Sequence, residues 1–323
     1  MWLRGGGGRQ RGALATDDNA ADVRATPREP SMIQTKGPDP VRRAPRRAEN
    51  DHMVEPHTPR SLIVTLYGAY GRTPGDGPMP VAGLVRLLGA VGVDAPAVRS
   101  SVSRLKRRGL LVAARTADGA AGYALSADAR QLLDDGDRRI YRHPDPAASD
   151  GWVLAVFSVP EAERHKRHLL RSRLSRLGFG TAAPGVWIAP AWLYDETRHT
   201  LDRLELAPYV DLFRGDHLGF TPTREAVARW WDLDAVARLH HDFLERHEPV
   251  LRTWEARGDG PADPEAAYRD YLTAVDSWRR VPYADPGLPR ELLPEDWPGA
   301  RSAEVFRALH ERLRDAGAEF VRA

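Results

Sequence analysis

The stretch Asp94–Gly109, DAPAVRSSVSRLKRRG, decides the fold prediction for the first third of the chain. On a helix, Val98, Val102 and Leu105 fall on one narrow apolar stripe. The first residue of the stretch is a good N-cap, and its final glycine suits the left-handed position that ends many helices. The other sides carry Arg99, Ser100, Ser103, Arg104, Lys106, Arg107 and Arg108. The pattern predicts a short amphipathic helix with a front of hydroxyl and guanidinium groups.

This front has the groups that read a DNA major groove: arginine for guanine edges, serine for phosphates or bases, and positive charge for the backbone. We predict that it binds DNA, with Ser100, Ser103 and either Arg104 or Arg107 as base readers. A solvated basic face on an ordinary surface helix is the alternative for this helix taken alone.

The neighbouring elements favour DNA binding. Helices are predicted over 58–71, 80–92 and 126–142, and short strands over 110–114 and 123–125. The helices over 58–71, 80–92 and 94–109, followed by the hairpin, are typical of a winged helix-turn-helix domain. Arg115, in the hairpin, is predicted to contact the minor groove or phosphates. Residues 60–142 also carry 13 Lys/Arg against 7 Asp/Glu, although the whole chain is only +2.

Composition excludes several classes of protein. The 323 residues include no cysteine, which excludes disulfides, thiolate metal sites and cysteine nucleophiles. No apolar run is long enough to cross a membrane and no secretory signal is visible, so we expect a cytoplasmic protein. Residues 1–57 are glycine-rich or basic without apolar periodicity and are predicted to be disordered, with Met32 or Met53 as alternative true starts.

The rest of the chain predicts two further domains, which makes the whole an α+β multidomain protein. In residues 151–220, strands and helices alternate as βαββαβ, which is typical of a ferredoxin-like fold. Residues 221–323 are predicted to be helical, with a closing helix over 302–316. The winged helix-turn-helix domain would occupy residues 58–142.

The chain resembles the PaaX-type repressors of the phenylacetate degradation operon. The resemblance covers about residues 60–322 and rests on Arg60–Gly68, Val98–Leu110, Gly122–Ser126, Arg139–Tyr141, Leu177–Gly180 and Asp285–Pro298. It implies the same three domains, with a central domain akin to small CRISPR-associated nucleases. It also implies a homodimer that binds an operator and is released by an effector, which in the founding members is an aryl-acetyl coenzyme A thioester.

Aromatic residues of the helical domain raise the question of an effector site. Most are expected to form core, but Trp278 with Arg279 and Arg280 is a candidate site for a ring or acyl chain and its anionic group. The alternative is that the arginines pair with local acids such as Asp276.

The sequence allows three alternative interpretations. A metal-dependent nuclease would need converging carboxylates, and the end of the first central strand offers only Glu161, without an evident acidic partner. A metal site at His240, His241 and His247 is less favoured than structural or solvated histidine. A thioester sensor that meets DNA only through a partner protein is the third hypothesis.

We therefore predict no catalytic residues, no metal and no cofactor. The predicted function is that of a dimeric, ligand-responsive repressor of a catabolic operon. Its partners would be a double-stranded DNA operator and an effector of the acyl-CoA type, and it would not bind a membrane.

Overall fold

The computed structural model describes residues 57–72, 77–116, 118–141, 147, 150–258 and 263–323. The predicted N-terminal extension, with its alternative starts at Met32 and Met53, lies outside these ranges except for His57. The first described part contains α1 (Pro59–Tyr70), β1 (Met79–Pro80), α2 (Val81–Gly89), α3 (Ala95–Arg107), β2 (Leu111–Arg115), β3 (Ala121–Leu125) and α4 (Ala127–Tyr141).

The predicted starts of α1 and α3 are confirmed by their caps. Thr58 Oγ1 accepts a hydrogen bond of 3.2 Å from the Ser61 amide, and a carboxylate oxygen of Asp94 accepts one of 2.7 Å from the Ala97 amide. Each bond satisfies an amide that has no partner within its own helix. Beyond α3, Gly109 has a φ of +71°, the left-handed conformation that its position requires.

A three-stranded antiparallel sheet in the order β1–β3–β2 follows from the predicted hairpin. Leu111 pairs with Leu125 and Met79 pairs with Tyr123. The prediction that a helix starts at Pro80 is wrong by one residue, because Pro80 is extended and belongs to β1. A Cβ at Gly122 would lie 2.7 Å from the Met79 oxygen, so only glycine admits β1 at this point.

The central part has the predicted order of strands and helices. Its elements are β4 (Trp152–Phe157), α5 (Arg164–Arg176), β5 (Gly180–Ala183), β6 (Val186–Pro190), α6 (Tyr194–Arg203) and β7 (Val210–Gly215). The strands form an antiparallel sheet in the order β5–β6–β4–β7. Leu170 and Leu174 of α5 and Leu201 of α6 pack with Val153 and Ala155 on one face of this sheet.

The C-terminal part is helical. It contains α7 (Thr223–Trp230), α8 (Leu233–Ala256), α9 (Pro264–Trp278), the short α10 (Val281–Ala284) and α11 (Gly299–Arg322). The closing helix is longer at both ends than the predicted 302–316. Its C-terminal extension packs on the first part of the chain, since Arg86 of α2 donates to the Phe320 carbonyl over 3.1 Å and lies over the Phe320 ring.

One hydrophobic core joins the first and last parts of the chain. Leu66 and Leu88 of α1 and α2 belong to the same buried cluster as Tyr268 of α9 and Leu309 of α11. The helix α1 is buried on two sides, because α3 packs on one and α9 on another. A separate cluster joins Trp152 of the central sheet to the C-terminal helices. The predicted domain limits stay a prediction, but the core extends across them.

Candidate nucleic-acid interface

The helix α3 has the two faces that its sequence predicts. Val98, Ser101, Val102 and Leu105 are at most 3% exposed and pack inward. The seven predicted DNA-binding residues of this segment are all exposed: Arg99, Ser100, Ser103, Arg104, Lys106, Arg107 and Arg108. The structure therefore brings these side chains together on one surface.

The basic side chains on this surface are not neutralised. Among the described residues, none of the cations of α3 and its C-cap forms an ion pair with a carboxylate. Arg104 donates a hydrogen bond of 3.2 Å to Ser101 Oγ, and Lys106 lies 6.0 Å from the centre of the Tyr123 ring. Uncompensated positive charge on a convex helix attracts polyanions such as the DNA backbone.

Arg60 adds to this charge and was not among the predicted residues. Partial burial lowers the pKa of Arg60, and the positive charges of Arg108 and Arg279 lower it further, which places Arg60 within electrostatic range of the end of α3. Its position in the first turn of α1 gave no sequence signal, because α1 and α3 meet only in the fold.

The β2–β3 hairpin carries Arg115 on its surface. Arg115 is exposed, but its Nη1 donates to the Gly119 carbonyl over 2.7 Å, so the guanidinium folds back on its own loop. Asp118 lies in the same loop and is hydrogen-bonded to the Thr116 hydroxyl, which lowers the pKa of Asp118. The ionised carboxylate offsets part of the charge that Arg115 brings to this loop.

Hydrogen bonds fix the hairpin to α1 and to the residues that flank it. The Tyr67 hydroxyl of α1 donates to the Tyr123 carbonyl of β3 over 2.7 Å. The Ser126 amide donates to the Leu110 carbonyl over 3.0 Å, which closes the hairpin where α4 begins. Preorganised elements present side chains to a ligand at a smaller entropic cost than mobile ones.

Of the predicted effector residues, Trp278 is buried, and Arg279 and Arg280 are half-buried. Trp278 is 2% exposed, stacks on Phe306 with ring centres 4.9 Å apart, and donates to the Ile140 carbonyl over 2.9 Å. The Arg279 guanidinium lies 3.4 Å from an Asp276 carboxylate oxygen, and a second nitrogen donates to Ser61. Arg280 also has an interaction within the protein. An effector site at Trp278, Arg279 and Arg280 stays a prediction, while the Arg279–Asp276 pair is the alternative that the sequence allowed.

Asp276 is a buried carboxylate that links α9 to α1. It is fully buried and accepts hydrogen bonds of 2.6 Å from Ser61 Oγ, Thr65 Oγ1 and the His57 amide. The pair with Arg279 supplies the compensating charge. Burial lowers the pKa of His57, and the nearby Asp276 charge opposes that effect. This network fixes α1, the helix on which α3 packs, to the C-terminal helices.

The candidate residues for metal chemistry do not converge. Glu161 is largely exposed and pairs with Arg167 at 3.4 Å. His240 is buried between Ser302 and Asp285, at 2.5 Å and 2.9 Å, and His247 contacts Ser277 at 2.9 Å. In the part of the chain that the structure describes, no three His, Asp or Glu side chains form a group that could hold a metal ion. The two histidines have structural hydrogen bonds.

Three models of one protein family match the chain in succession. They are the PaaX-like protein at residues 58–129, the PaaX protein central Cas2-like domain at 145–227 and the PaaX-like protein C-terminal domain at 231–323. The chain therefore belongs to the PaaX family. The family is one of transcriptional regulators, so the expectation that the chain is not an enzyme is confirmed.

Two relatives illustrate the similarity. The "Transcriptional repressor PaaX" of Escherichia coli (strain K12) is 26% identical over 264 residues, which are 81% of this chain and 82% of that protein. The solved structure of "Uncharacterized protein Rv0674 from Mycobacterium tuberculosis" has a TM-score of 0.52 and 21% identity, covering 82% of this chain and 99% of the other. The latter supports the fold alone. Across the described ranges, no helix is both long and apolar enough to cross a membrane.

Proposed function

We propose that this protein is a transcriptional repressor that binds double-stranded DNA through α3. The exposed cations of α3, which no carboxylate neutralises among the described residues, are the observation that carries the proposal. The Escherichia coli relative is named as a transcriptional repressor, which supports the same function.

In this proposal α2 and α3 form a helix-turn-helix, and the β2–β3 hairpin is its wing. The recognition helix would place Ser100, Ser103 and Arg104 or Arg107 against base edges, while Arg99, Lys106, Arg108 and Arg115 contact phosphates. The central βαββαβ part is ferredoxin-like, with its helices on one face of the sheet.

The protein would act as a homodimer in the cytoplasm. Two copies of α3 would occupy successive major grooves of a palindromic operator, about one helical turn or a multiple of it apart. Repression of a catabolic operon and release by an acyl-CoA-type effector complete the proposal. Release requires that the effector bind the two arrangements of the protein with different affinities.

A gel-shift assay with the purified protein and its own upstream DNA tests the proposal. We expect a specific shift that competes with unlabelled upstream DNA, and a loss of that shift in the Arg104→Ala/Arg107→Ala double variant. Arg307→Ala on α11 is the control, because Arg307 is also exposed. An unchanged shift in the double variant would refute the assignment of α3.

Two further measurements in the same assay separate the other hypotheses. Incubation with Mg²⁺ or Mn²⁺ should leave both strands intact, whereas a nuclease would shorten them. A shift by the purified protein alone excludes a sensor that needs a partner protein to reach DNA. Addition of acyl-CoA thioesters should then abolish the shift.

A further inference from the structure

The helix α5 of the central part carries a high density of positive charge. Its 13 residues, RHKRHLLRSRLSR, contain six Lys/Arg, two histidines and no Asp or Glu. The helix α3 has the same length and contains four Lys/Arg. None of the cations of α5 was among the predicted DNA-binding residues.

One side of α5 packs on the central sheet, and another side faces solvent. Leu170 and Leu174 are fully buried in the core of the central part. Arg164, Arg171 and Arg176 are exposed. From the first to the last of these arginines the helix rises about 18 Å, so the charged face extends along its whole length.

Two of the six cations of α5 are neutralised by acids in the turn that precedes the helix. Lys166 pairs with Glu163 at 3.0 Å, and Arg167 pairs with Glu161 at 3.4 Å. The other four form no ion pair with any carboxylate of the described residues: Arg164, Arg171, Arg173 and Arg176.

Arginines near the C-terminal end of α5 lie close to one another and to α6. Partial burial lowers the pKa of Arg173, and the positive charges of Arg176 and Arg203 lower it further. Arg203 is the last residue of α6. No carboxylate is among the groups that shift the pKa of Arg173, so positive charge accumulates on this side of the two helices.

The charge pattern is unfavourable for the helix itself. Arg164, Arg167 and Arg171 follow one another at spacings of three and four residues, where like charges repel and destabilise a helix. Arg164 is also the first residue of α5, where a positive charge opposes the helix dipole. Helix stability therefore does not account for these arginines, whereas a polyanionic partner would offset their repulsion.

Duplex DNA is the polyanion that fits this surface. A DNA strand rises about 3.4 Å per nucleotide, so the charged face of α5 spans about five nucleotides of one strand. Arginine is also well suited to phosphate, because its guanidinium can donate two parallel hydrogen bonds. In the proposed function α3 already holds DNA on the same chain, which raises the effective concentration of DNA at a second surface.

We propose that the exposed face of α5 is a second DNA-binding surface, which contacts phosphates of the duplex that α3 holds. Arg164, Arg171 and Arg176 provide contacts that do not depend on the base sequence. This inference rests on the proposed function, because α3 determines which DNA is bound.

The lack of cysteine in the chain permits a direct test of location. Ser175→Cys places a single thiol on the exposed face of α5, and Thr253→Cys on α8 is the control, since both positions are exposed. An iron chelate attached to the thiol cuts DNA that lies nearby. With the full chain bound to its own upstream DNA, we expect cuts from Ser175→Cys and none from Thr253→Cys. Absence of cuts from Ser175→Cys, or equal cuts from both variants, would overturn the second surface.

Fluorescence-anisotropy titrations measure the contribution of the arginines. Arg171→Gln/Arg176→Gln should weaken binding of the upstream duplex and of an unrelated duplex by the same factor, about tenfold or more at 0.1 M salt. The salt dependence should fall by about one to two units of slope. Arg252→Gln/Arg307→Gln removes the same charge from exposed positions of α8 and α11 and should bind like the wild type. Equal affinities of the two double variants would contradict the proposal.

The same titrations separate this inference from the proposed function. Arg104→Ala/Arg107→Ala should abolish the preference for the upstream duplex, and Arg171→Gln/Arg176→Gln should retain it. If only the α5 variant weakens binding, the assignment of α3 is wrong and the α5 surface stands. If only the α3 variant does so, the α5 surface is overturned alone. A labelled RNA of the same length is the last comparison, and an α5 variant that loses RNA but not duplex DNA would also overturn the proposal.

Discussion

The front of α3 and the contact between α1 and α9 contain the same kinds of side chain in opposite roles. Ser100, Ser103, Arg104 and Arg107 face solvent on α3, and no described carboxylate neutralises the arginines. At the α1–α9 contact the hydroxyls and the arginine all converge on the buried carboxylate of Asp276. A polar cluster whose hydrogen bonds and ion pairs are made within the protein stabilises the fold. A cluster whose charges are not neutralised at the surface is available to a ligand.

Asp276→Ala is expected to have the largest effect on folding. It leaves two buried hydroxyls, the His57 amide and Arg279 without their acceptor, and loss of one partner from a buried ionic network typically costs about 3–5 kcal/mol. Urea denaturation measures the loss in the free energy of unfolding. Glu319→Ala on the exposed face of α11 is the control, and an equal, small loss in both variants would contradict the structural role of Asp276.

The α3 front should behave in the opposite way. Arg104→Ala and Arg107→Ala should change the free energy of unfolding by less than about 0.5 kcal/mol. In fluorescence-anisotropy titrations, a base-reading arginine should cost about 1–3 kcal/mol of operator binding and relax specificity at one base pair. A large loss of stability in either variant would place the side chain in the fold and not at the DNA.

A third prediction concerns pH and the buried side of the comparison. Burial lowers the pKa of His247 to about 3, with help from the charges of His57 and Arg246. The unfolded chain then takes up a proton below about pH 6.5 that the folded chain does not, so the free energy of unfolding falls as the pH falls. From pH 7 to pH 5 we expect a loss of about 2 kcal/mol from this group.

Denaturation at several pH values checks this slope. His247→Gln should show a shallower dependence on pH, since the titrating group is gone. Arg104→Ala should keep the full dependence, because Arg104 is not among the groups that shift the pKa of His247. If the His247→Gln slope equals that of the wild type, another group causes the pH dependence.

Arg115→Ala should have the smallest effect. The guanidinium already donates to Gly119, and Asp118 lies in the same loop. We expect a loss of about 0.5–1 kcal/mol of DNA affinity, alike for all sequences, and a salt dependence reduced by about one unit of slope. Titrations at three salt concentrations measure both, and a sequence-specific loss would show that Arg115 reads bases.

Much of the α3 surface could be predicted from sequence, because its evidence is local. The spacing of Val98, Val102 and Leu105 defines the buried stripe, and Asp94 and Gly109 mark the helix ends within the same stretch. The exposure of the remaining side chains then follows from helix geometry.

The α1–α9 contact could not be predicted in the same way. Ser61 and Asp276 are 215 residues apart, and a serine in the first turn of a helix gives no sign of a distant partner. The pair of Met79 with Tyr123 was missed for the same reason, since a two-residue strand has no periodicity. The missing hydrogen bond of the Tyr70 hydroxyl likewise depends on packing and could not be predicted. The sequence predicts only that Tyr70 is a core residue.

The shared core has a consequence for protein engineering. A fragment that ends at residue 142 would lack Tyr268, Leu309 and the other C-terminal residues that cover α1. A large hydrophobic surface of α1 would then be exposed to water. Such a fragment is expected to aggregate upon expression. A chimaera that transplants residues 58–142 onto another scaffold would have to include α9 and α11, because the three parts share one core.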